Sequence, residues 1–408
     1  MLSVEEAIAQ ILARVRPLPP ERVPILSALG RALAERVVSS RAIPPWANSS
    51  MDGYAVRAAD TARLPARLRL VGTITAGAAP TRMVGAGEAM RIFTGAPLPE
   101  GADAVIPQED TDAANGQVTL NSSVDRGAYV RSRGEDLRVG DVVLEPGTAL
   151  GPAEVGVLAM LNHAQVVVGR RPRVAILSTG DELAELGREP GPAQIPNTNS
   201  YSLFAQVTEA GGEPVNLGIA ADRLDVIEER LGWGATADVL LSSAGVSVGD
   251  MDLVKEALTR AGADLHLWRV SMRPGKPITF GSLGGRPVFG LPGNPVSAMV
   301  TFELFVRPAL RRMAGFRALH RGRLRARALA PIPNPGSRRG YLRVTLHQDD
   351  EGLGARLTGD QGSAILTSMV RADGLAVVPG DTTIPEGGSV EVIVLRELAS
   401  YSVPGHSM

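Results

Sequence analysis

Short apolar segments alternate with helical segments between residues 173 and 315, and this alternation constrains the fold more than any other feature of the chain. The predicted strands are residues 174–177, 215–219, 239–241 and 287–291, and the predicted helices are residues 199–210, 224–231, 253–261 and 295–313. Strands that alternate with helices at this spacing form a mostly parallel sheet with right-handed crossovers. The sequence therefore predicts a central α/β domain, which we place at residues 169–316.

On either side of this domain, apolar and polar residues alternate with a period of two, which is shorter than the period of a helix. Leu68 and Leu70 alternate with Arg67 and Arg69, which is typical of a half-buried strand. Further segments of this kind predict an inserted β domain at residues 41–137 and a C-terminal β domain, a small barrel or sandwich, at residues 317–408. The predicted fold class is therefore α/β plus β, in several domains.

Helices are predicted in the N-terminal part of the chain. Ser3 and Glu6 have the spacing of a capping box, and an apolar stripe follows, so we expect a helix over residues 3–15. Further helices are predicted at residues 28–38 and 152–161.

Composition excludes several classes of protein. The chain has 42 Lys and Arg against 43 Asp and Glu, so no strong overall field would attract nucleic acid or an anionic membrane. It has no cysteine, which excludes disulfides, thiolate metal sites and a cysteine nucleophile. No apolar run approaches the roughly 20 residues of a membrane-spanning helix. We expect a soluble, cytoplasmic protein without a secretory signal peptide.

The predicted loops after the strands are rich in carboxylates. Because ligands bind outside the carboxyl ends of the strands of an open parallel sheet, these loops should converge on one edge. They carry Asp181, Glu182, Asp222, Asp250 and Asp252. Asp and Gly are common turn residues in any single loop, but the set together favours a site, and oxygen ligands beside an anionic substrate suit Mg²⁺.

A second candidate element is Arg273-Pro274-Gly275-Lys276-Pro277. Two cations on a stiff turn form an anion pocket at little ordering cost, although a solvated turn is an equally good interpretation of this segment alone. It is not a Walker loop, since Pro277 stands where Ser or Thr is needed. The five histidines show no paired spacing and no G-x-S-x-G elbow is present, which argues against a zinc hydrolase and an α/β hydrolase.

Seven motifs, taken in order, resemble those of the molybdopterin molybdenumtransferase family, which comprises the MoeA proteins and the E domain of gephyrin-type proteins. They are Asn48-Ser49-Ser50-Met51-Asp52-Gly53-Tyr54-Ala55, Ile92-Phe93-Thr94-Gly95-Ala96-Pro97, Arg133-Gly134-Glu135-Asp136, Ser178-Thr179-Gly180-Asp181-Glu182-Leu183, the segment from Ser242 to Asp252, Arg273 to Pro277, and Leu291-Pro292-Gly293-Asn294-Pro295-Val296-Ser297. The resemblance covers essentially the whole chain.

The resemblance implies an elongated N-terminal domain made from residues 1–40 and 138–168, and a homodimer in which the inserted β domain of one subunit faces the α/β domain of the other. It also implies a reaction in which adenylylated molybdopterin and molybdate give the molybdenum cofactor and AMP, with Mg²⁺. A transient contact with the molybdopterin adenylyltransferase is a further expectation.

The resemblance also assigns residues. The implied catalytic residues are Asp52, Thr94, Asp136, Glu182, Asp222, Asp252 and Lys276, of which Glu182, Asp222 and Asp252 would place Mg²⁺. The implied substrate-binding residues are Ser243, Gly245, Ser247, Arg273, Pro292, Pro295, Ser297, Arg339 and Ser363. The segment around Arg339 departs from the usual family pattern, and it leaves open which of its arginines makes the contact.

Three other functions remain open from the sequence. One is a scaffold that binds molybdopterin without inserting metal. The second is a tungsten-inserting relative, and the third is a nucleotide phosphohydrolase on the same α/β domain. The set of acidic residues favours the transferase over the scaffold.

Overall fold

The structure, a computed structural model, describes residues 1–243 and 253–396. The chain divides into two compact units. The large unit comprises Met1–Glu35, Pro146–Gly156 and Ala164–Met408, and the small unit comprises Arg36–Glu145 and Val157–His163. None of the helices in the described ranges is both long enough and apolar enough to cross a lipid bilayer.

The described helices are short, and most were predicted. The α-helices are Val4–Arg14, Pro152–Met160, Thr198–Glu209, Leu224–Trp233, Leu253–Arg260, Pro295–Thr301, Arg307–Met313 and Thr367–Arg371, and a π-helical segment, Phe302–Val306, joins the sixth to the seventh. The 3-10 helices are Ile25–Ala28, Ala58–Thr61, Gln108–Asp110 and Gly234–Thr236.

The N-terminal region contains one confirmed and one wrong prediction. The capping box is present: the Ser3 hydroxyl accepts a hydrogen bond from the Glu6 N–H at 3.1 Å, and the Ser3 N–H donates to the Glu6 carboxylate at 2.7 Å. The helix predicted at residues 28–38 is wrong. Gly30 has a left-handed φ of 74°, and the Leu33 N–H donates to the carbonyl of Thr148. Distant backbone partners therefore replace the local helical bonds.

A six-stranded sheet forms the centre of the large unit, as predicted for the α/β domain. Its strands lie in the order Glu213–Ala220, Arg173–Thr179, Val239–Ser243, Arg286–Leu291, Pro277–Leu283 and Asp264–Arg269. The first four are mutually parallel. The last two add antiparallel pairings that the sequence pattern did not predict. Helices cover both faces, with Leu203 and Val207 in the core on one side and Ile227 and Leu231 in the core on the other.

This strand order positions the turn at residues 270–276. Asp264–Arg269 and Arg286–Leu291 are each antiparallel to the strand between them, so the two run in the same direction. The turn after Arg269 therefore lies at the same edge of the sheet as the carboxyl ends of the parallel strands. The directions of these strands therefore bring the cationic turn and the acidic loops to one edge of the sheet.

The C-terminal region forms a closed β-barrel, as expected. Its strands pair in the order Arg339–Asp349, Gly352–Leu357, Arg323–Ala328, Ser389–Val394 and Gly374–Val378, and the last pairs again with the first. A short strand, Met272–Arg273, pairs in parallel with residues 339–340 and connects the barrel to the cationic turn. Smaller two-stranded pairings join Glu21–Pro24 to Gln165–Val168, Leu183–Ala184 to Ile195–Pro196, and Ile332–Asn334 to Thr382–Ile384.

The small unit is built on a second six-stranded sheet. Its strands lie in the order Ala104–Pro107, Gly53–Val56, Glu88–Ile92, Ala66–Ile74, Gln117–Leu120 and Thr111–Ala114. Asn48–Ser49 pairs with Val130–Arg131, and Val37–Val38 pairs with Val142–Leu144. The alternation seen in the sequence is confirmed, since Leu68 is buried whereas Arg67 and Arg69 are exposed.

Candidate active site

A cavity of about 710 Å³ in the large unit is lined by loops of the α/β domain and of the barrel. We call it the cationic cavity. Its lining residues are Arg273, Pro274, Gly275, Lys276, Pro277, Pro292, Gly293, Asn294, Ser297, Arg338, Gln361, Gly362 and Ser363. Three of these described residues are cations and none is a carboxylate, so the cavity is suited to a small anion.

The turn that carries Arg273 and Lys276 is tightly packed from below. Gly275 has a φ of 96°, and a Cβ added there would lie 2.4 Å from the hydroxyl of the fully buried Thr301. Only glycine fits this position. The Arg273 and Lys276 side chains are exposed, and neither has a salt bridge within the described ranges. Their charges are therefore available to a ligand.

The barrel loop is fastened to the turn after the strand Arg286–Leu291. The Asn294 amide donates a hydrogen bond to the Ser363 hydroxyl at 3.0 Å, and the Val296 N–H donates to the Ser363 carbonyl at 3.1 Å. Ser297, which is buried, lies in the first turn of the helix Pro295–Thr301 that follows. The predicted residues Pro292, Ser297 and Ser363 thus lie together with Arg273 and Lys276.

Arg338, and not Arg339, lines this cavity. The Arg338 guanidinium donates to the Met272 carbonyl at 3.0 Å, at the base of the cationic turn. Arg339 instead forms a salt bridge with Glu5 of the N-terminal helix, and the hydrogen bond to Glu5 raises the pKa of Arg339. Of the two neighbouring arginines, Arg338 therefore faces the cavity, whereas Arg339 already has a carboxylate partner.

A second cavity, of about 610 Å³, shares Gly293 and Asn294 with the cationic cavity. We call it the adjoining cavity. Its lining residues are Glu182, Leu183, Ile195, Pro196, Asn197, Thr198, Asn199, Ser243, Gly293, Asn294, Pro295, Ala364 and Leu366. The predicted residues Glu182, Ser243 and Pro295 thus line a cavity that shares a wall with the one lined by Lys276.

The loop that carries Glu182 is compact. Gly180 has a φ of 139°, and a Cβ added there would lie 2.2 Å from a Glu182 carboxylate oxygen. The Ile195 N–H donates to the Glu182 carbonyl at 2.7 Å. The Asp222 N–H donates to the Asp181 carboxylate at 3.1 Å, so the loops after two neighbouring strands are in contact.

Magnesium ligation was predicted for Glu182, Asp222 and Asp252. Glu182 and Asp222 are exposed at this edge of the sheet, whereas Asp252, Gly245 and Ser247 lie outside the described residues. Within the described ranges, no three such side chains are close enough to hold a metal ion. The donors are oxygen atoms only, and Mg²⁺ commonly takes one or two carboxylates and completes its shell with phosphate and water. The residues present fit that ion.

Polar residues that the sequence reasoning missed form the floor of the adjoining cavity. The Asn199 amide donates to the Ser243 hydroxyl and to the Gly293 carbonyl, both at 2.7 Å. Behind it, the Ser178 and Ser200 hydroxyls are 2.8 Å apart, and Ser200 also bonds to Asn197. Sequence patterns could not reveal this cluster, because only the fold brings Ser178 to Ser200 and Asn199 to Ser243.

The small unit carries a separate polar pair. The Asp52 carboxylate accepts hydrogen bonds from the Thr94 N–H and from the Thr94 hydroxyl, both at 2.7 Å. The backbone bond and then the hydroxyl bond lower the pKa of Asp52 below its ordinary value. Asp136 is exposed, and its N–H donates to the Ile43 carbonyl at 2.9 Å. The structure therefore joins Asp52 to Thr94 and places Asp136 on another segment.

Three family models match the chain along nearly all its length. The model of the MoeA N-terminal region (domain I and II) matches residues 2–161, and that of a probable molybdopterin binding domain matches residues 175–312. The model of the MoeA C-terminal region (domain IV) matches residues 325–395.

Relatives and solved structures agree with these matches. A molybdopterin molybdenumtransferase of Nostoc sp. is 39% identical over 92% of this chain and 88% of its own length. Molybdopterin molybdenumtransferase 1 of Mycobacterium tuberculosis is 37% identical over 97% and 100%. A crystal structure of the molybdopterin biosynthesis MoeA protein of Pyrococcus horikoshii has a TM-score of 0.83 at 29% identity and covers 97% of this chain and 100% of that one. The chain belongs to the MoeA family.

Proposed function

We propose that this protein is a molybdopterin molybdenumtransferase, which inserts molybdate into adenylylated molybdopterin and releases AMP. One observation carries the proposal. The cationic cavity and the adjoining cavity, which is lined by Glu182, share the wall formed by Gly293 and Asn294. A tetrahedral oxyanion in the first would therefore lie beside an anionic organic substrate in the second. The names of the relatives support the same reaction.

In this proposal the cationic cavity receives molybdate. Arg273, Lys276 and Arg338 supply positive charge, and the Ser297 and Ser363 hydroxyls can donate hydrogen bonds to the oxyanion. The stiff turn and the fastened barrel loop hold these groups before the oxyanion arrives, which reduces the ordering cost of binding. The substrate itself supplies the sulfur atoms that take up molybdenum, which is consistent with a chain that has no cysteine.

The adjoining cavity receives part of the adenylylated substrate. Asn199, Ser243 and Pro295 would contact it, together with Gly245 and Ser247 of the segment outside the described residues. Glu182, Asp222 and Asp252 would hold Mg²⁺, which when bound neutralises charge on the phosphoanhydride. The chain contributes positioning and charge rather than a covalent nucleophile.

The proposal includes a cytoplasmic homodimer. Asp52, Thr94 and Asp136 would act on the substrate held by the other subunit, and the molybdopterin adenylyltransferase would deliver that substrate in a transient contact. Mixing two inactive variants, Asp52→Ala and Glu182→Ala, tests this arrangement. Mixed dimers would contain one intact site and recover activity, whereas a site made within one subunit would give no recovery.

The experiment that tests the function measures AMP release from adenylylated molybdopterin. Release that depends on molybdate, and that is lost in a folded Glu182→Ala variant, is expected. Binding without release would indicate a scaffold, and release without any oxyanion would indicate a phosphohydrolase. A preference for tungstate over molybdate in the same assay would identify a tungsten-inserting relative.

A further inference from the structure

A buried arginine lies directly behind the cationic cavity. Arg343, on the barrel strand Arg339–Asp349, is fully buried and is among the largest fully buried side chains of the described protein. Its guanidinium donates to the Ser368 hydroxyl and to the Gly362 carbonyl, both at 3.0 Å. Its third nitrogen, Nη1, is buried and has no acceptor within residues 1–243 and 253–396.

Arg343 also fixes the loop that lines the cavity. The backbone N–H of Arg343 donates to the Gln361 side-chain carbonyl at 2.8 Å, and the Gln361 side-chain amide donates to the Arg343 backbone carbonyl at 3.2 Å. Gln361 and Gly362 are both cavity-lining residues. The Gly362 carbonyl oxygen, which would repel an anion, is engaged by the guanidinium.

The charge of Arg343 is poorly compensated. Arg343 makes no salt bridge in the described ranges, and its hydrogen-bond acceptors are neutral. Burial, and then the charge of Arg273 in the cavity wall, lower the pKa of Arg343 to about 10, while Asp360 acts in the opposite direction. A buried cation without a partner is costly, and a nearby anion reduces that cost.

We propose that Arg343 is a positioning residue of the cationic cavity, which holds the loop at residues 361–363 and adds a buried positive charge that a bound tetrahedral dianion compensates. This inference rests on the proposed function, since it takes the cavity to be the oxyanion site. Arg343 does not touch the oxyanion itself. It acts through the loop and through its charge.

The expected behaviour differs from that of an ordinary structural residue. A buried charge without an opposite partner carries a desolvation cost, and replacing it by an apolar side chain of similar size removes that cost. We therefore expect Arg343→Met to unfold in urea at no lower denaturant concentration than the unaltered protein when no oxyanion is present. We expect its molybdate affinity to fall by about tenfold, the effect of one unit charge acting across a partly buried distance.

The test compares Arg343→Met, Arg343→Gln and Arg343→Lys with Arg356→Met, which removes an exposed arginine of the same barrel. Isothermal titration with sodium molybdate measures affinity, and AMP release measures KM and kcat. We expect affinity in the order Arg, Lys, Gln, with Met no better than Gln, a higher KM for molybdate at unchanged kcat, and no change for Arg356→Met.

Arg343→Gln removes the charge but keeps an amide donor for the Gly362 carbonyl. If Arg343→Met does not fold, Arg343→Gln therefore shows whether the charge contributes to molybdate affinity. Equal molybdate affinity in a neutral variant and in the unaltered protein would overturn the inference and leave the proposed function intact. Absence of molybdate binding by the unaltered protein would overturn both.

Discussion

The two cavities of the large unit share a wall but are built in different ways. The cationic cavity rests on a proline- and glycine-rich turn packed on Thr301, and the barrel loop is fastened against it. The adjoining cavity has a floor of asparagine and serine side chains and an exposed carboxylate, Glu182, at its rim. The side chains of the cationic cavity are held in place before any ligand binds. In the adjoining cavity, the negative charge of Glu182 has to be neutralised by a ligand.

The largest loss of activity is expected from removing Lys276, one of the two exposed cations in the turn of the cationic cavity. Lys276→Ala should lower molybdate-dependent AMP release by about a hundredfold or more, since loss of one preorganised charge donor at a reacting centre has effects of that order. Single-turnover assays at saturating adenylylated molybdopterin measure it. Arg356→Ala, which removes an exposed cation of the barrel outside both cavities, is the control. Equal loss in both variants would contradict the assignment of molybdate to the cationic cavity.

The second prediction concerns stability, and it tests whether packing against Thr301 holds the turn at residues 270–276 in place. Gly275→Ala forces a Cβ onto the Thr301 hydroxyl at a left-handed φ, so we expect a loss of about 1–3 kcal/mol in the free energy of unfolding, measured in urea. Gly284 also has a positive φ, but a Cβ there meets nothing within 4 Å, so Gly284→Ala is a matched control for the backbone strain alone. An equal loss in both would show that the contact with Thr301 does not matter.

Arg338 and Arg339 are neighbours in sequence, but we expect only Arg338 to affect molybdate binding. Arg338→Met should raise the KM for molybdate by roughly tenfold, because a hydrogen bond to a charged group contributes about 1.5–3 kcal/mol. Arg339→Met removes a partly exposed pair with Glu5 and should change stability by less than about 1 kcal/mol, with little effect on KM. Steady-state kinetics in molybdate distinguish them, and the reverse result would restore Arg339 as the contact.

The smallest expected effect is a shift in the pH profile of activity, and it involves Asp52 and Thr94 of the small unit. Both hydrogen bonds from Thr94 lower the pKa of Asp52. Asp52 therefore stays ionised to lower pH in the folded protein, and its contribution to stability is lost as the pH falls through that lowered pKa. Thr94→Val removes the hydroxyl bond alone, so the acid limb of the activity profile should move to higher pH. An unchanged profile would show that Asp52 ionisation does not control activity.

Local patterns predicted the elements well, but not their partners. The capping box at Ser3 and the alternation around Leu68 depend on neighbours in sequence, and both are confirmed. The helix predicted at residues 28–38 is wrong because its backbone groups bond to residues more than a hundred positions away. The antiparallel strands at the edge of the central sheet were missed for the same reason.

In the candidate active site, too, local motifs predicted the residues but not all of their partners. The motifs predicted Arg273, Lys276, Ser297 and Ser363, and the fold brings these residues to one cavity. The choice between Arg338 and Arg339 depends on the pairing of Met272 with Arg339 and on the position of Glu5. Neither is encoded in the local sequence around residue 338. The role of Arg343 likewise becomes visible only when burial is known.

Molybdate-soaked crystals measured at the molybdenum absorption edge would show where the oxyanion binds. We predict one strong anomalous peak in the cationic cavity, between the cations of residues 273, 276 and 338 and the hydroxyls of residues 297 and 363. A peak at another place on the protein, with this cavity empty, would contradict it.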